Sequence, residues 1–392
     1  MEIDVDTNLF KEKLLEVSSF VAKGNTDIPI TKGIMFTIKD DILIMDASNF
    51  IHGCKSRMKE GIEVKSKGRL VVEGKKFIKL IKTFTGNKIN LKLEGHKLKM
   101  TDTSSDYNSF TMLTLNGPDK FPSLPTPSKG TKKIKINRDK FIQTISKVGF
   151  AADDPQLADD NKKIFSKMIF FANDLIYSTN TQKFGAINKH NFNFNLYLPK
   201  DSSKYFKNLS EEFFLYIEDG IYYVQDNDLF FMVKIESCTP PDGPIRKVLE
   251  KEPKNTVVYE LDDHDRKKLI AALRQLKILN EYVVVFATEE TLWLSGVDYE
   301  YSAKNEFHTS IKGIHIDPLE FKKEIVVTFN IRNLIQALTS TKEPTVIFQG
   351  NFDEQDAFVR IFENNFQAVI QRMIGKHEEK IIKKIKERND SD

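Results

Sequence analysis

The sequence predicts an α+β protein built from three tandem repeats, each with two helices and about eight strands. One type of sequence segment, or phrase, predicts a strand, a helix and three further strands, and it occurs three times. Its copies begin at Leu70, Leu196 and Ile325. A second phrase, which reads as a strand, a polar turn and a strand, precedes each copy. It begins at Gly33, Lys167 and Tyr282. Since an amphipathic helix lies upstream of each pair of phrases, one supersecondary unit recurs along the chain.

The first copy shows how these elements are recognised. LVVEGKKFIKLIKTF runs from a strand into a helix, and NKINLKLEG, HKLKMTDTS and YNSFTMLTL alternate apolar with polar residues, as strands do. On the helix, Phe77, Ile81 and neighbouring apolar residues fall on one stripe. Three lysines fall on the opposite side: Lys75, Lys79 and Lys82. We therefore expect one face to pack in the core and the other to be positively charged.

The other predicted helices follow the same design. They span Asn8 to Lys23, Arg138 to Ala151 and Asp263 to Leu279, with two more after Leu196 and Ile325. Most of them carry basic or polar residues on the outer face: Lys140, Gln143, Lys147, Lys200, Lys204, Lys207, Lys267 and Arg274. The first helix differs, because its outer face is acidic and polar. For a single helix a solvated face is the ordinary explanation, but equivalent placement in repeated units favours a shared surface.

The repeats predict domains at residues 1–127, 128–253 and 254–375, followed by a charged tail at 376–392. The chain has 392 residues, 40% hydrophobic and 29% charged, which suffices for three ordinary cores. No apolar run approaches the roughly 18 residues of a membrane span, so we expect a cytoplasmic protein without membrane contact. Cys54 and Cys238 lie in different repeats without a metal-binding pattern, which predicts reduced thiols.

The sequence contains no convincing catalytic site. GRLVVEGKK lacks the spacing and the hydroxyl residue of a phosphate-binding loop. The trio Asp262, Asp263 and Asp265 precedes a helix, where acidic residues cap free amides. The seven histidines are scattered without helical metal-ligand spacing. We therefore expect no enzymatic activity, no cofactor and no metal, with an unrecognised hydrolase site as a weak alternative.

The order of elements resembles that of the bacterial-type sliding clamp, the β subunit of DNA polymerase III. The phrases that carry the resemblance are VSSFVAKGNTDIPITKGIMF, FTMLTLNGPDKFPSLP, TPPDGPIRKVL and FQAVIQRM, and it covers Met1 to about Gly375. It implies three DNA-clamp domains per subunit and a head-to-tail homodimeric ring with helices inside and sheets outside. It also implies a processivity factor of DNA replication that encircles duplex DNA. The implied partners are double-stranded DNA, the replicative DNA polymerase, the clamp loader and other proteins with a clamp-binding motif, at the replication fork in the nucleoid.

The chemistry of the helix faces is compatible with this function. A protein that slides along DNA must contact phosphates without reading bases, and flexible lysine side chains suit that task. Lys23 joins the set because it lies close to Asn25, which aligns with the family's DNA-contacting arginine. The predicted DNA-binding residues are Lys23, Lys75, Lys79, Lys82, Lys140, Gln143, Lys147, Lys200, Lys204, Lys207, Lys267 and Arg274. The alternative is a non-encircling double-stranded nucleic-acid-binding module that grips one face of the duplex.

The resemblance implies two further sites. A pocket for partner peptides would be lined by Phe165, Thr179, Thr181, Lys183, Phe184, Pro241, Val248, Leu249, Val369, Ile370 and Met373. The dimer interface would join Phe110 and Met112 of one subunit to Ile278 and Leu279 of the next. At residues 181–184 and 371–375 the sequence differs from the motifs of the family, so we expect a different peptide preference. For both sets the alternative is ordinary packing within domains, and the tail is either solvated or a docking helix.

Overall fold

The fold was analysed in a computed structural model of the chain. The structure describes residues 1–22, 28–103, 109–115, 117–153, 164–172, 174–235, 238–251, 256–278, 280–288, 291–297, 311–312, 325–349 and 357–373. Two predicted site residues, Lys23 and Leu279, lie outside these ranges, as does the predicted tail.

The first repeat contains two helices and nine strands among its described residues. They are β1 (Glu2–Asp6), α1 (Thr7–Ser18), β2 (Gly33–Lys39), β3 (Ile42–Ser48), β4 (His52–Met58), β5 (Ile62–Ser66), β6 (Gly68–Glu73), α2 (Gly74–Thr83), β7 (Lys88–Glu94), β8 (Lys97–Asp102) and β9 (Ser109–Leu115). Its core forms around three phenylalanines from different elements, Phe10, Phe36 and Phe77, whose ring centroids lie 5.1 to 6.1 Å apart. The apolar stripe predicted for α2 is thus confirmed as a core face.

Helix α1 is shorter than predicted. The Asp6 carboxylate begins it by accepting hydrogen bonds from the N–H groups of Asn8 and Leu9. The helix ends at Ser18 because the chain turns to bury Phe20, which is only 2% exposed. The Phe20 ring stacks on Tyr205 with a centroid distance of 4.3 Å. The predicted continuation to Lys23 is therefore wrong, since a distant aromatic residue overrides the local helical pattern.

The second repeat contains β10 (Ile134–Asn137), α3 (Arg138–Gly149), β11 (Met168–Phe171), β12 (Leu175–Thr179), β13 (Lys183–Asn188), β14 (Leu196–Pro199), α4 (Ser203–Phe206), β15 (Glu212–Glu218), β16 (Ile221–Asp226) and β17 (Leu229–Lys234). Helix α4 is a single turn preceded by the 3₁₀ turn Lys200–Ser202, so the second helix of this repeat is much reduced. The following linker forms a helix that the sequence did not predict, α5 (Asp242–Glu250).

The third repeat contains β18 (Thr256–Glu260), α6 (Asp263–Lys277), β19 (Tyr282–Ala287), β20 (Thr291–Val297), β21 (Ile311–Lys312), β22 (Ile325–Asn330), α7 (Ile331–Thr339), β23 (Thr345–Gln349), β24 (Phe358–Glu363) and β25 (Phe366–Gln371). The Asp262 side chain accepts a hydrogen bond of 2.7 Å from the N–H of Asp265. Helix capping, predicted for this acidic cluster, is confirmed.

The chain divides into two compact units, Met1–Phe141 with Lys204–Ser237 and Ile142–Ser203 with Cys238–Asp392. The first unit holds a thirteen-stranded sheet of order β10-β15-β16-β17-β4-β3-β2-β6-β9-β8-β7-β1-β5. The second holds an eight-stranded sheet, β14-β11-β12-β13-β25-β24-β23-β18, and a four-stranded sheet, β21-β20-β19-β22. The α+β class and the three repeats are confirmed, while the domain boundaries stay a prediction.

Strand pairing between repeats follows one rule. The last strand of the second repeat, β17, pairs antiparallel with the fourth strand of the first, β4. The last strand of the third repeat, β25, pairs in the same way with the fourth strand of the second, β13. The remaining strands of this series, β9 and β21, have no such pairing among the described residues. Among the described strands, β9 pairs along Ser109–Leu113 with β8 alone, and it meets β6 only at Thr114 and Leu115.

Candidate functional sites

The outer face of α2 is the clearest basic surface. Lys75, Lys79 and Lys82 are exposed, whereas Phe77 and Ile81 on the opposite side are at most 1% exposed. The strongly amphipathic sequence of α2 produces this division, because the apolar stripe packs on the core and leaves the lysines in water. The three ammonium groups can contact a polyanion without further rearrangement.

Helix α3 carries only part of the predicted surface. Lys140 and Gln143 are exposed, but Lys147 is not. The ammonium of Lys147 lies 2.7 Å from Oε2 of Glu363 and 4.9 Å from the centroid of the Phe366 ring. The prediction that Lys147 lies on an open outer face is therefore wrong. The last turn of α3 packs against the β24–β25 hairpin, which is far away in sequence.

The remaining predicted cations have different environments. Lys200 is half-buried, and its ammonium donates a hydrogen bond of 2.6 Å to the carbonyl of Ala152. Lys204, Lys207, Lys267 and Arg274 are exposed. Lys267 lies 2.5 Å from the Asp263 carboxylate, and hydrogen bonds from Arg266 and Lys267 lower the pKa of Asp263 to about 2. The charge of Lys267 is therefore partly neutralised, while that of Arg274 has no ion pair in the described part of the chain.

The structure brings together some of the predicted pocket residues. Thr179 on β12 pairs with Phe184 on β13, and Phe184 pairs with Val369 on β25. Directly paired residues of antiparallel strands point to the same side, so these three form a row on one sheet face. All three are at most 6% exposed.

Lys183 and Ile370 form the next pair and point to the opposite face. There the ammonium of Lys183 lies 2.7 Å from Oε1 of Gln336 on α7 and 5.9 Å from the Phe150 ring centroid. Lys183, which is 7% exposed, thus contacts the helix layer and does not share the face of Phe184. Lys183 and Ile370 therefore do not line the pocket face that was predicted for them, because neighbouring residues of a strand point to opposite faces of the sheet.

The turn between β12 and β13 has a tight, side-chain-braced form. Oδ1 of Asn180 accepts hydrogen bonds from the N–H groups of Gln182 and Lys183 at 3.2 and 3.1 Å. Thr181, which is exposed, adopts a left-handed φ of 76° at the tip. This turn displays its backbone at the edge of the Thr179–Phe184–Val369 row.

The linker contributes three half-buried pocket residues, Pro241 just before α5 and Val248 and Leu249 within it. Two tethers hold the start of the helix on the sheet of the second unit. The Arg246 guanidinium donates to both carboxylate oxygens of Asp174, at 2.6 and 2.7 Å, and the Tyr177 hydroxyl donates to Asp242. Sequence reasoning missed both tethers, although the Asp-Gly-Pro start of α5 is a recognisable helix-start signal.

Two other predicted pocket residues lie at the ends of connecting segments. Phe165 is half-buried in the 3₁₀ turn Ile164–Lys167. Met373 is half-buried, and its N–H donates to the carbonyl of Thr328 at 2.9 Å, which fixes the chain after β25. Both residues retain an accessible part of the side chain, as a peptide-contacting residue must.

The predicted interface residues lie on accessible edges. Phe110 is 38% exposed, Met112 is half-buried, and Ile278, just after α6, is 78% exposed. Leu113, which was not predicted, is 68% exposed on the other face of β9. An open strand with exposed apolar side chains favours association with another strand.

Within the described ranges, no helix is long and apolar enough to cross a membrane. The same ranges contain no group of three or more His, Cys, Asp or Glu residues arranged to hold a metal ion.

Comparison with known proteins gives consistent results. Residues 1–125 match the family model of the DNA polymerase III beta subunit, N-terminal domain. The β subunit of DNA polymerase from Streptococcus pyogenes superposes with a TM-score of 0.78 at 17% identity, covering 96% of this chain and 100% of that one. The sliding clamp from Bacillus subtilis gives 0.79 at 16% identity, with coverages of 95% and 99%. The Helicobacter pylori β clamp bound to a DNA ligase peptide gives 0.75 at 17% identity, with coverages of 95% and 100%. The shared fold extends over nearly the whole chain.

Proposed function

Since residues 1–125 belong to the DNA polymerase III β subunit family and the whole chain has the fold of its sliding clamps, we infer that this protein is a DNA sliding clamp. It is a processivity factor that encircles duplex DNA and tethers the replicative polymerase and other partners. It acts by topology, without a catalytic residue or a cofactor, at the replication fork in the cytoplasm. A ring replaces tight binding with encirclement, so weak and screened phosphate contacts suffice.

The strand pairing between repeats is the observation that carries this proposal. Two of the three joints, β17 with β4 and β25 with β13, are closed within the chain. The third would join β9 of one copy to β21 of another, because these strands hold the equivalent places in their repeats. Two copies joined head to tail would use both of their open strands and leave none exposed. A closed homodimer of six repeats follows from the same rule that joins the repeats in one chain.

The apolar residues at the open strands suit this joint. Phe110 and Met112 on one copy would face the region of Ile278 and Leu279 on the other, while Leu113 extends the apolar surface on the opposite face of β9. Ile278→Ser with Leu279→Ser should give a folded monomer in sedimentation, with circular dichroism unchanged. Leu15→Ser is the matched control, because Leu15 is 48% exposed on α1, and it should remain a dimer. A dimer that survives the double change would place the joint elsewhere.

We propose that the exposed cations of the helices contact the DNA backbone. This set excludes Lys147 and Lys200, which are half-buried and whose ammonium groups contact Glu363 and the carbonyl of Ala152. It comprises Lys75, Lys79, Lys82, Lys140, Lys204, Lys207, Lys267 and Arg274, with Gln143 as a polar member. Single changes should have small effects, because each screened phosphate contact is weak.

Charge reversal on separate helices tests the DNA-facing set. Lys79→Glu, Lys140→Glu and Lys207→Glu together should depress loading on DNA and processive synthesis while the melting temperature stays the same. A control triple change on exposed lysines of three separate strands, Lys39→Glu with Lys88→Glu and Lys234→Glu, should leave loading intact. Equal loading of both triple variants would refute the assignment of these helices to the DNA surface.

The row Thr179–Phe184–Val369, with α5 and Met373, is proposed to bind partner peptides. The Helicobacter pylori relative was solved with a DNA ligase peptide, which supports this kind of partner. Met373→Ala should weaken binding of that peptide by about 1 to 3 kcal/mol, as expected for truncating an apolar contact residue. Because Met373 is half-buried, its loss should not unfold the chain. Unchanged peptide affinity in Met373→Ala and in Phe184→Ala would move the pocket elsewhere.

Retention on circular DNA tests the whole proposal. A protein loaded on nicked circular DNA should remain bound in high salt and be released when a restriction enzyme linearises the circle. The alternative, a module that grips one face of a duplex, predicts the same salt-sensitive dissociation from circular and linear DNA. Equal half-lives on the two substrates would refute encirclement.

A further inference from the structure

A cavity of about 230 Å³ lies between the first strands of the eight-stranded sheet and the start of α5. Its wall includes Phe170 and Tyr197 on the sheet side and Asp242 and Arg246 on the helix. Asp174 and Asn195 complete the polar part of the lining. The cavity is smaller than the roughly 300 to 1,000 Å³ of typical small-molecule pockets, so it is better suited to a single side chain than to a metabolite.

We propose that this cavity binds a lysine or arginine side chain of the partner peptide. That residue would flank the apolar residues of the peptide, which occupy the peptide pocket. The inference rests on the proposed peptide-binding function and adds a cationic subsite to it.

The charges of the lining favour a cation. Arg246 and Asp174 form a two-point ion pair. Asp242 remains, and in the described part of the chain it forms no ion pair. Its hydrogen-bond partner is the Tyr177 hydroxyl, a neutral group whose pKa is raised by burial and by Asp242 itself. Arg246 also interacts electrostatically with Asp242, so the two carboxylates and one guanidinium of the lining leave one negative charge in excess.

The aromatic wall favours the same ligand. The Phe170 ring stacks on Tyr177 with centroids 5.0 Å apart and meets Tyr197 edge to face at 5.3 Å. A lysine or arginine head group near the face of an aromatic ring gains electrostatic energy from the ring quadrupole. The aliphatic stem of either side chain can pack on the same rings while the charged end reaches Asp242.

The position of the cavity fits a residue that flanks the peptide's apolar motif. Tyr177 and Thr179 lie two residues apart on β12 and therefore share a sheet face with Phe184. The rise of a strand places these two positions about 7 Å apart. Pro241, a predicted pocket residue, lies between Pro240 and Asp242 of the cavity wall. A peptide seated on Phe184 can thus reach the cavity with a cation two to four residues from its anchor.

The test compares three series of peptides based on the Helicobacter pylori DNA ligase sequence. Each flanking position, two to four residues on either side of the apolar motif, carries lysine, alanine or glutamate in turn. Calorimetry with the full-length protein should show one lysine peptide binding about 5- to 30-fold more tightly than its alanine counterpart. The glutamate peptide should bind more weakly than alanine at the same position, and the preference should shrink at high salt.

Asp242→Asn identifies the group responsible. The amide oxygen can still accept the Tyr177 hydroxyl, so the tether and the fold should survive, while the lysine preference should fall to within about twofold. Glu250→Gln, at the exposed other end of α5, is the control and should keep the full preference. The Asp242→Asn variant and the wild-type protein should bind the alanine peptide equally.

The outcomes distinguish failure of the cationic subsite from failure of the peptide pocket. If the alanine peptides bind and no lysine position improves affinity, the cavity only accommodates the α5 tether and the inference is wrong. A lysine preference that persists in Asp242→Asn would also overturn it. If none of the peptides binds, the proposed peptide pocket itself fails, and the subsite fails with it.

Discussion

Replacing Glu363 with glutamine should destabilise the second unit by about 2 kcal/mol. Oε2 of Glu363 lies 2.7 Å from the ammonium of Lys147. Oε1 accepts hydrogen bonds from the N–H groups of Lys342 and Glu343 at 2.5 and 3.1 Å. One carboxylate thus connects α3 of the second repeat, the β24–β25 hairpin and the turn after α7. Glutamine retains the shape and an acceptor oxygen, so the change mainly leaves the Lys147 charge without its partner.

Burial sets the magnitude of this effect. The side chains of Lys147 and Glu363 are 20% and 14% exposed, between a surface pair and a fully buried one. Surface pairs contribute below about 1 kcal/mol, whereas breaking a buried pair costs about 3 to 5 kcal/mol. A hydrogen bond to a charged group contributes about 1.5 to 3 kcal/mol. A value near 2 kcal/mol is therefore expected for this half-buried pair.

A double-mutant cycle with Glu363→Gln and Lys147→Met, measured by urea unfolding, isolates the pair. The matched control is Lys135 with Glu212, whose charged atoms lie 2.6 Å apart but whose side chains are 60% and 56% exposed. Its coupling energy should stay below about 1 kcal/mol. Equal coupling energies for the two pairs would refute the reasoning that burial determines the contribution.

The pH dependence gives an independent check. Burial tends to raise the pKa of Glu363, but hydrogen bonds from Lys147 and the two N–H groups outweigh it and lower the pKa. The contribution to stability is therefore complete above the unfolded pKa of about 4.3 and is lost as the pH falls through the lowered folded pKa. The stability difference between wild type and Glu363→Gln should shrink below about pH 4. A difference that does not change with pH would contradict this ionisation.

Two further changes test the interior of the second unit. Arg360 is 2% exposed, and its Nε and Nη2 have no hydrogen-bond partner among the described residues. Because burying these groups costs free energy, Arg360→Met should raise the free energy of unfolding by about 1 kcal/mol or more. Arg332→Met, at an exposed position, should have little effect. A Cβ at Gly185 would lie 2.7 Å from the Phe150 ring, so Gly185→Ala should cost about 1 to 3 kcal/mol. Gly243→Ala should be nearly neutral in the same unfolding assay, because beyond its own helix a Cβ there meets no atom of the described residues within 4 Å.

Much of the local structure could be predicted from the sequence because local periodicity determines it. The stripe of Phe77 and Ile81 on α2, the cap at Asp262 and the recurrence of one unit all depend on residues close together in the chain. The order of its sequence segments resembles that of the sliding-clamp family, and this resemblance predicted the fold class that the structural comparisons then confirmed.

The candidate sites could be predicted only in part. A helical pattern identifies which residues oppose the core, but it cannot show what a residue on that face will meet. Lys147 and Glu363, which form the half-buried pair, are 216 residues apart in sequence. Lys183 and Gln336 are 153 residues apart, and their contact determines which sheet face Lys183 occupies. No local signal could have predicted either pair.

The sequence by itself thus determined most of the elements, their apolar faces and the threefold repetition, since these follow from side-chain spacing along helices and strands. Only the tertiary structure decided which strands join neighbouring repeats, which cations remain exposed and where the linker helix α5 encloses a cavity. The physical reason is that an apolar face specifies burial without specifying its partner. The partner is determined when segments distant in the chain pack together. The unpaired edge of β9 can therefore be identified only from the tertiary structure.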